Sequence, residues 1–193
     1  PQDLKYNGEK SFLEIGKSNT FREGCTANPG TEGDGLVTKI GDNSLFMVGV
    51  HIAHDCIIGN ETIMANQVTL AGHVIVDDNA VIGGLSGIHQ FCRLGKLSMI
   101  GGLSAVHNDV VPYSLVTGNT ARLEGINIVG LKRANYKNNE IKDYAKIFNQ
   151  IFSSNSIETE SKQFNNVENK LVKDLIIFLN NKSNRGICSY AKK

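Results

Sequence analysis

The sequence predicts an all-β solenoid followed by a helical domain, and three observations carry that reading. An apolar residue recurs at every sixth position from Ile40 to Val106. Turn-forming residues recur at every eighteenth, at Gly41, Gly59, Asp77 and Gly95. Beyond residue 119 the six-residue beat stops and apolar residues return at helical spacing.

The six-residue series runs Ile40, Phe46, Ile52, Ile58, Met64, Leu70, Val76, Ile82, Ile88, Leu94, Ile100 and Val106 without a miss. Four places after each comes a small or β-branched residue, from Ser44, Val50 and Cys56 through to Ser98, Ser104 and Val110. Neither register has a helical period. A coil of three short strands and three corners in 18 residues satisfies both, with the large residue filling a triangular interior and the small one near a crowded corner. Burying each large residue is worth roughly 1.5–3 kcal/mol. An alternating antiparallel sheet would need period two and hairpin turns, which are missing. At the corners, Asp42, Asn60 and Asp78 follow the turn residues and are expected to bind their own backbone or adopt the left-handed conformation.

Upstream, Ile15, Phe21 and Ala27 keep the same beat, and the phase then slips by one between Ala27 and Ile40. The slip falls in Pro29-Gly30-Thr31-Glu32-Gly33-Asp34-Gly35, which predicts a loop protruding from a coil. Solenoid ends need caps. With no N-terminal cap recognisable, Pro1 is expected to begin part-way along a longer solenoid. After Pro112 and the Gly118-Asn119 turn, helices are predicted near 122–134, 139–152 and 165–181, the second burying Ile141, Tyr144, Phe148 and Ile151 on one face. The expected division is a solenoid over 1–119 and a helical domain over 120–193.

Composition narrows the function classes. In 193 residues with a formal net charge of +1, there is no global bias towards nucleic acid or an anionic membrane. The longest apolar stretches, such as Leu175-Ile176-Ile177-Phe178-Leu179, fall far short of the roughly 20 residues that span a bilayer, and no secretory signal is visible. Residues 1–119 carry seven basic and twelve acidic residues, whereas 120–193 carry thirteen and seven, so an acidic partner is expected at the second part, unless this is only a solvated helical face. Cys25, Cys56, Cys92 and Cys188 form no CxxC pair and read as buried thiols in a reducing compartment.

The coil period converts spacing into geometry. Residues 18 apart stack about 4.8 Å from one another. His54 then lies beneath Gly72, Asp55 beneath His73, and His89 beneath His107. None occupies either inward register, so their side chains are expected to face outwards, towards solvent or a neighbouring subunit. One reading is a general base: histidine's ordinary pKa of about 6.5 suits proton abstraction, Asp55 can orient the ring, and the Gly72 N–H could face a developing oxyanion. A second is zinc held by His51, His54 and His73. The intervals between successive histidines lack the five-residue pair that zinc-binding hexapeptide-repeat carbonic anhydrases contain, so no metal is expected. A third is packing in a trimer interface.

The spacing resembles that of hexapeptide-repeat proteins, and the motifs are more specific. The run His51-Ile52-Ala53-His54-Asp55-Cys56, then Leu70-Ala71-Gly72-His73, Gly83-Gly84, and His89-Gln90-Phe91 resembles the bacterial acyl-[acyl-carrier-protein]–UDP-N-acetylglucosamine O-acyltransferase family, which begins lipid A synthesis. Pro1-Gln2-Asp3-Leu4-Lys5-Tyr6 and Gly125-x-Asn127-x-x-Gly130-Leu131-Lys132-Arg133 extend the likeness. Members form left-handed parallel β-helices and assemble as homotrimers with active sites between neighbouring subunits.

The resemblance implies that His54 deprotonates the sugar 3-hydroxyl, with Asp55 as its partner and Gly72 as the oxyanion donor. The hydroxyl would attack the thioester of an (R)-3-hydroxyacyl chain carried on the phosphopantetheine of acyl carrier protein, with no separate cofactor. Asp3, Lys5, His51, His73, His89, Gln90, Asn127 and Arg133 match substrate-binding positions. Gly102 matches a position where bulk limits acyl length, and its lack of a side chain implies a longer chain. Arg133-Ala134 stands where the family commonly has two arginines, and Asn28 and Thr120 stand where relatives carry histidine. Rival readings are an N-acyltransferase acting on a UDP-amino sugar of the same pathway, an amide-forming variant using a 3-amino sugar, and a non-catalytic hexapeptide-repeat scaffold. The Gly-Leu-Lys-Arg segment at 130–133 favours the O-acyl enzyme.

Overall fold

The computed structural model describes residues 2–32, 35–165, 167–181 and 183–190, and the chain winds as a three-sided parallel β-solenoid that ends in helices. The first side stacks Phe12–Ile15, Val37–Ile40, Ile57–Ile58, Ile75–Val76 and Arg93–Leu94. The second carries Thr20–Phe21, Leu45–Phe46, Ile63–Met64, Val81–Ile82 and Met99–Ile100, and the third Thr26–Ala27, His51–Ile52, Thr69–Leu70, Gly87–Ile88 and Ala105–Val106. Ile57 pairs with Ile75 and Ile75 with Arg93, so one lap takes 18 residues, as the repeat predicts.

The six-residue register is the core. Phe46, Met64, Leu70, Ile82, Leu94 and Ile100 are wholly buried, and the small register behind them is buried too, including Ser44, Thr62, Ser86 and Ser104. A triangular interior one side chain deep has room only for this alternation.

Corners turn by a repeated backbone device. Asn43, Asp55, Glu61, Gln67, His73, Asn79, Leu85, Phe91, Leu97 and Leu103, each three places after an interior residue, have φ between 54° and 67°. L-residues adopt that conformation at a penalty of roughly 1–2 kcal/mol. The stacking offsets it: the N–H of His73 donates to the His54 carbonyl at 3.0 Å, and those of Leu85, Phe91 and Leu103 do the same one coil below. The left-handed residue is therefore Asn43, Glu61 or Asn79, not the Asp or Asn before it. Asp42, Asn60 and Asp78 bind the neighbouring coil rather than their own: Asp42 N–H donates to Asn60 Oδ1 at 2.8 Å and Asn60 N–H to Asp78 Oδ1 at 2.7 Å. Gly41 and Gly59 are glycine because a Cβ there would lie 2.6 Å from those same oxygens.

The phase slip proves larger than one residue. Phe12 pairs with Val37 and Ala27 with Ile52, 25 places on, so one coil carries a full hexad and one residue in excess. Counting by sixes registers only the remainder. Gly33 and Asp34 of this loop lie outside the described residues, as does Pro1 of the N-terminal motif.

At the other end, Met99 pairs with Leu115, only 16 places on. Ser114–Thr117 then pairs antiparallel with Arg122–Ile126. The expectation of a helix from 122 is corrected here. Arg122 and Glu124 are exposed while Leu123 is buried, a strand alternation stabilised by the neighbouring strand. Helix α1 spans Ile128–Arg133, α2 Asn138–Ser153, α3 Ile157–Ser161 and α4 Lys170–Asn180. The predicted 165–181 helix is thus shorter, and Asn166 within it lies outside the described residues. Leu131, Tyr144, Phe148, Leu171 and Leu175 close the last coil, where the Tyr144 hydroxyl donates to the Pro112 carbonyl at 2.8 Å and the Tyr113 hydroxyl donates to Asp174. Cys56, Cys92 and Cys188 are buried, Cys25 is half-buried, and all four are free thiols. Among the described residues, no helix is long and apolar enough to cross a membrane.

Candidate active site

The corner between the third and first sides gathers the chemistry. It stacks His54-Asp55, Gly72-His73 and Gln90-Phe91, each pair following a strand of the third side. The predicted contact is present: a Cβ on Gly72 would lie 2.5 Å from Cε1 of His54 and 2.6 Å from Nε2, so only glycine leaves room for the ring. Among the described residues, the Gly72 N–H donates to no protein acceptor.

His54 Nδ1 lies 2.8 Å from Asp55 Oδ2. Burial works against the Asp55 carboxylate, but the Thr31 N–H, His54 and the Thr31 hydroxyl outweigh it and hold its pKa below the ordinary value. An ionised carboxylate only accepts, so in the neutral ring this bond places the hydrogen on Nδ1 and leaves the lone pair on Nε2, the nitrogen beside Gly72. His73 approaches the same oxygen, with Nε2 4.0 Å from Asp55 Oδ2. Its ring stacks on Phe91 with centroids 4.6 Å apart and meets His54 edge-on at 4.9 Å.

His54 and Asp55 point away from the solenoid interior, as expected, yet they are only 8% and 5% exposed rather than open to solvent. The N-terminal segment and the inserted loop cover them. Gln2, Asp3 and Leu4 form one wall of a cleft of about 390 Å³ whose other wall holds His51, His54, Gly72 and Gln90. His51 is engaged at both nitrogens, at 2.7 Å to Thr26 Oγ1 and 3.0 Å to Gln2 Oε1. Burial lowers its pKa. Asp3 accepts from the Lys5 N–H at 3.0 Å, and that hydrogen bond leads in holding its pKa down. The Lys5 side chain is exposed.

The remaining predicted residues lie elsewhere. His89 is exposed beside the corner, its ring 5.9 Å from that of His107 and its Nδ1 on the Gln90 carbonyl at 3.1 Å. Gly102 stands at the corner between the second and third sides, 3.2 Å from the Gly84 carbonyl when given a Cβ. Asn127 caps α1, accepting from the Gly130 N–H at 2.9 Å and donating to the Leu97 carbonyl at 3.0 Å at the remaining corner. Arg133 is exposed in the last turn of α1. One chain therefore spreads these residues over three separate corners.

Sequence reasoning missed Thr31, which is 1% exposed and bound to Asp55, and the Gln2 and Thr26 partners of His51. The only signal for Thr31 was its place in the phase slip. As for metals, His54, Asp55 and His73 bring ligand atoms within 4.8 Å of one another. A cation bound through Asp55 Oδ2 would compete with the hydrogen bonds that oxygen already makes with His54 Nδ1 and Thr31 Oγ1. A larger cleft of about 540 Å³, between the first side and α4, contains no histidine, and its Arg93 is committed to Asp109 at 2.7 Å.

Comparison with known proteins identifies the family. A family model described as bacterial transferase hexapeptide (six repeats) matches residues 38–72. One described as UDP N-acetylglucosamine O-acyltransferase, domain 2, matches residues 109–188. The acyl-[acyl-carrier-protein]–UDP-N-acetylglucosamine O-acyltransferase of Nautilia profundicola is 48% identical over 189 residues, covering 97% of this chain and 73% of the relative. The chain belongs to the acyl-[acyl-carrier-protein]–UDP-N-acetylglucosamine O-acyltransferase family. The Paracoccus denitrificans member of this O-acyltransferase family is 45% identical over 186 residues, covering 96% of this chain and 71% of its own. A solved UDP-N-acetylglucosamine acyltransferase from Campylobacter jejuni superposes with a TM-score of 0.93 at 41% identity, over 99% of this chain and 74% of that one.

Proposed function

We propose that this O-acyltransferase moves an (R)-3-hydroxyacyl chain from acyl carrier protein to the 3-hydroxyl of UDP-N-acetylglucosamine, with His54 as general base. The observation that carries the reading is the His54 ring lying against Gly72 while Asp55 fixes its Nδ1. The sugar oxygen attacks the thioester carbonyl carbon as its proton passes to His54 Nε2. The tetrahedral oxyanion faces the Gly72 N–H, which needs no reorganisation to receive it. Collapse breaks the carbon–sulfur bond, and the departing phosphopantetheine thiolate takes the proton from His54. One ester forms, one thioester is lost, and the base returns to its starting state. The donor arrives on its carrier, so no further cofactor enters the reaction.

The sugar and acyl ligands would contact Asp3, Lys5, His51, His73, His89, Gln90, Gly102, Asn127 and Arg133. Because these occupy three corners, only a neighbouring copy can bring the distant ones to the His54 corner, and a homotrimer in the cytoplasm is the assembly we infer. The basic C-terminal part suits an acidic carrier protein. Gly102 is exposed next to exposed Leu103, an apolar wall on which no Cβ blocks a long chain.

Thioester release from (R)-3-hydroxyacyl carrier protein, followed with UDP-N-acetylglucosamine in the presence of a chelator, tests the proposal. Sugar-dependent release that resists chelation is expected. Release lost on chelation and restored by zinc would favour a metal at His54, Asp55 and His73. Release only with an amino sugar would favour the amide-forming alternatives, and silence with every acceptor would favour a scaffold.

A further inference from the structure

We propose that Thr31 is a positioning residue for acyl transfer, holding the Asp55 carboxylate on His54 and away from His73. The proposal rests on the reading of His54 as the base. Thr31 meets both oxygens of Asp55: its N–H donates to Oδ1 at 2.9 Å and its Oγ1 to Oδ2 at 2.7 Å. Asp3 Oδ2 also lies 3.2 Å from the same hydroxyl. One hydroxyl hydrogen cannot serve both fully, and the shorter contact with Asp55 takes it.

The carboxylate needs such a clamp because two imidazoles flank it. Oδ2 lies 2.8 Å from His54 Nδ1 and 4.0 Å from His73 Nε2. A modest rotation about the Asp55 side chain would exchange one partner for the other. Two donors from one residue, one on each oxygen, fix that rotation.

The inserted coil exists at the right place to supply this clamp. The register that sets Ala27 beside Ile52 puts Gly30 beside Asp55. A Cβ on Gly30 would lie 2.2 Å from the Val37 nitrogen and 2.7 Å from Asp55 Oδ1, so glycine there leaves room for both the returning chain and the carboxylate. The seven additional residues of this lap fall between Ala27, which pairs with Ile52, and Ile40, which pairs with Ile15. A break in an otherwise strict repeat is where a functional demand overrides the fold's own rule.

The test compares Thr31→Val, Thr31→Ser and His54→Ala in the full chain, measuring kcat, both KM values and the pH–rate profile, with thermal unfolding as a check on folding. Among the described residues, the titratable groups facing the pair are Asp3, His51, His73 and the Cys56 thiol, all unchanged in these variants. Without the hydroxyl, Asp55 can turn from His54 towards His73, so a protonated His54 ring loses its carboxylate partner. Thr31→Val should lower kcat about tenfold or more with little change in KM, and move the acid limb of the profile to lower pH. Thr31→Ser should restore both to within about threefold, which a merely space-filling role would not produce. If Thr31→Val fails to fold, the limb and kcat of Thr31→Ser against those of Thr31→Ala decide. An unshifted limb and unchanged kcat in the hydroxyl-free variant, with His54→Ala inactive, overturns the role of Thr31 alone. An active His54→Ala overturns the reading of the base and this proposal with it.

Discussion

His54 and Gly72, one coil apart in the stack, touch so closely that a single methyl group cannot be placed between them. A Cβ on Gly72 would stand 2.5–2.6 Å from the imidazole. Gly72 is not among the positive-φ glycines, so its backbone suits alanine, and the conflict is with the ring alone. Gly72→Ala should therefore leave the solenoid folded while turning the ring off Asp55. Transfer should fall about 100-fold, and circular dichroism should be unchanged. Activity within a few-fold of the parent would mean that the ring has another working position.

Asn127 has a structural duty that competes with its proposed contact with substrate. Its amide caps α1 and anchors it to Leu97. Asn127→Ala should cost about 1 kcal/mol of stability, read from urea unfolding. A raised KM for either substrate without loss of stability would instead put substrate contact first.

Acid sensitivity follows from Asp55. Its pKa lies below that of an ordinary aspartate, about 3.9, so its stabilising contribution is complete above that value and fades as pH falls through the lowered one. The stability gap between the parent and Asp55→Asn should be wide at pH 6 and narrow below about pH 4. A gap that stays constant down to pH 3, measured by urea titration, would show that the ionised carboxylate contributes no stability.

Acyl length is set, on this account, beside Gly102. Gly102→Met should shift product mass spectra towards shorter chains. Spectra unchanged in that variant would detach the residue from the acyl groove.

The solenoid was legible because its interior tolerates one kind of side chain. Ile52, Met64, Val76 and Ile82 lie buried where counting by sixes puts them. The His54–Gly72 contact was legible for the same reason, since a fixed lap makes distance in sequence equal height in space. Counting failed where the lap changes length. Thr31 reaches Asp55 from 24 residues away across an inserted hexad, and nothing in the residue type announces it. Arg122–Ile126 falls within the helix predicted near 122–134 yet forms a strand, with Arg122, Leu123 and Glu124 alternating out, in and out; its pairing with Ser114–Thr117 decides the outcome. Covering of the corner by residues 2–4 was equally hidden, because it depends on a segment outside the repeat.

The most direct test of the account is the turnover number of His54→Ala with acyl carrier protein donor and UDP-N-acetylglucosamine, measured on folded protein. Loss of an essential general base predicts a fall of about 10²–10⁴-fold with an unchanged unfolding midpoint. Turnover within a few-fold of the parent would contradict it.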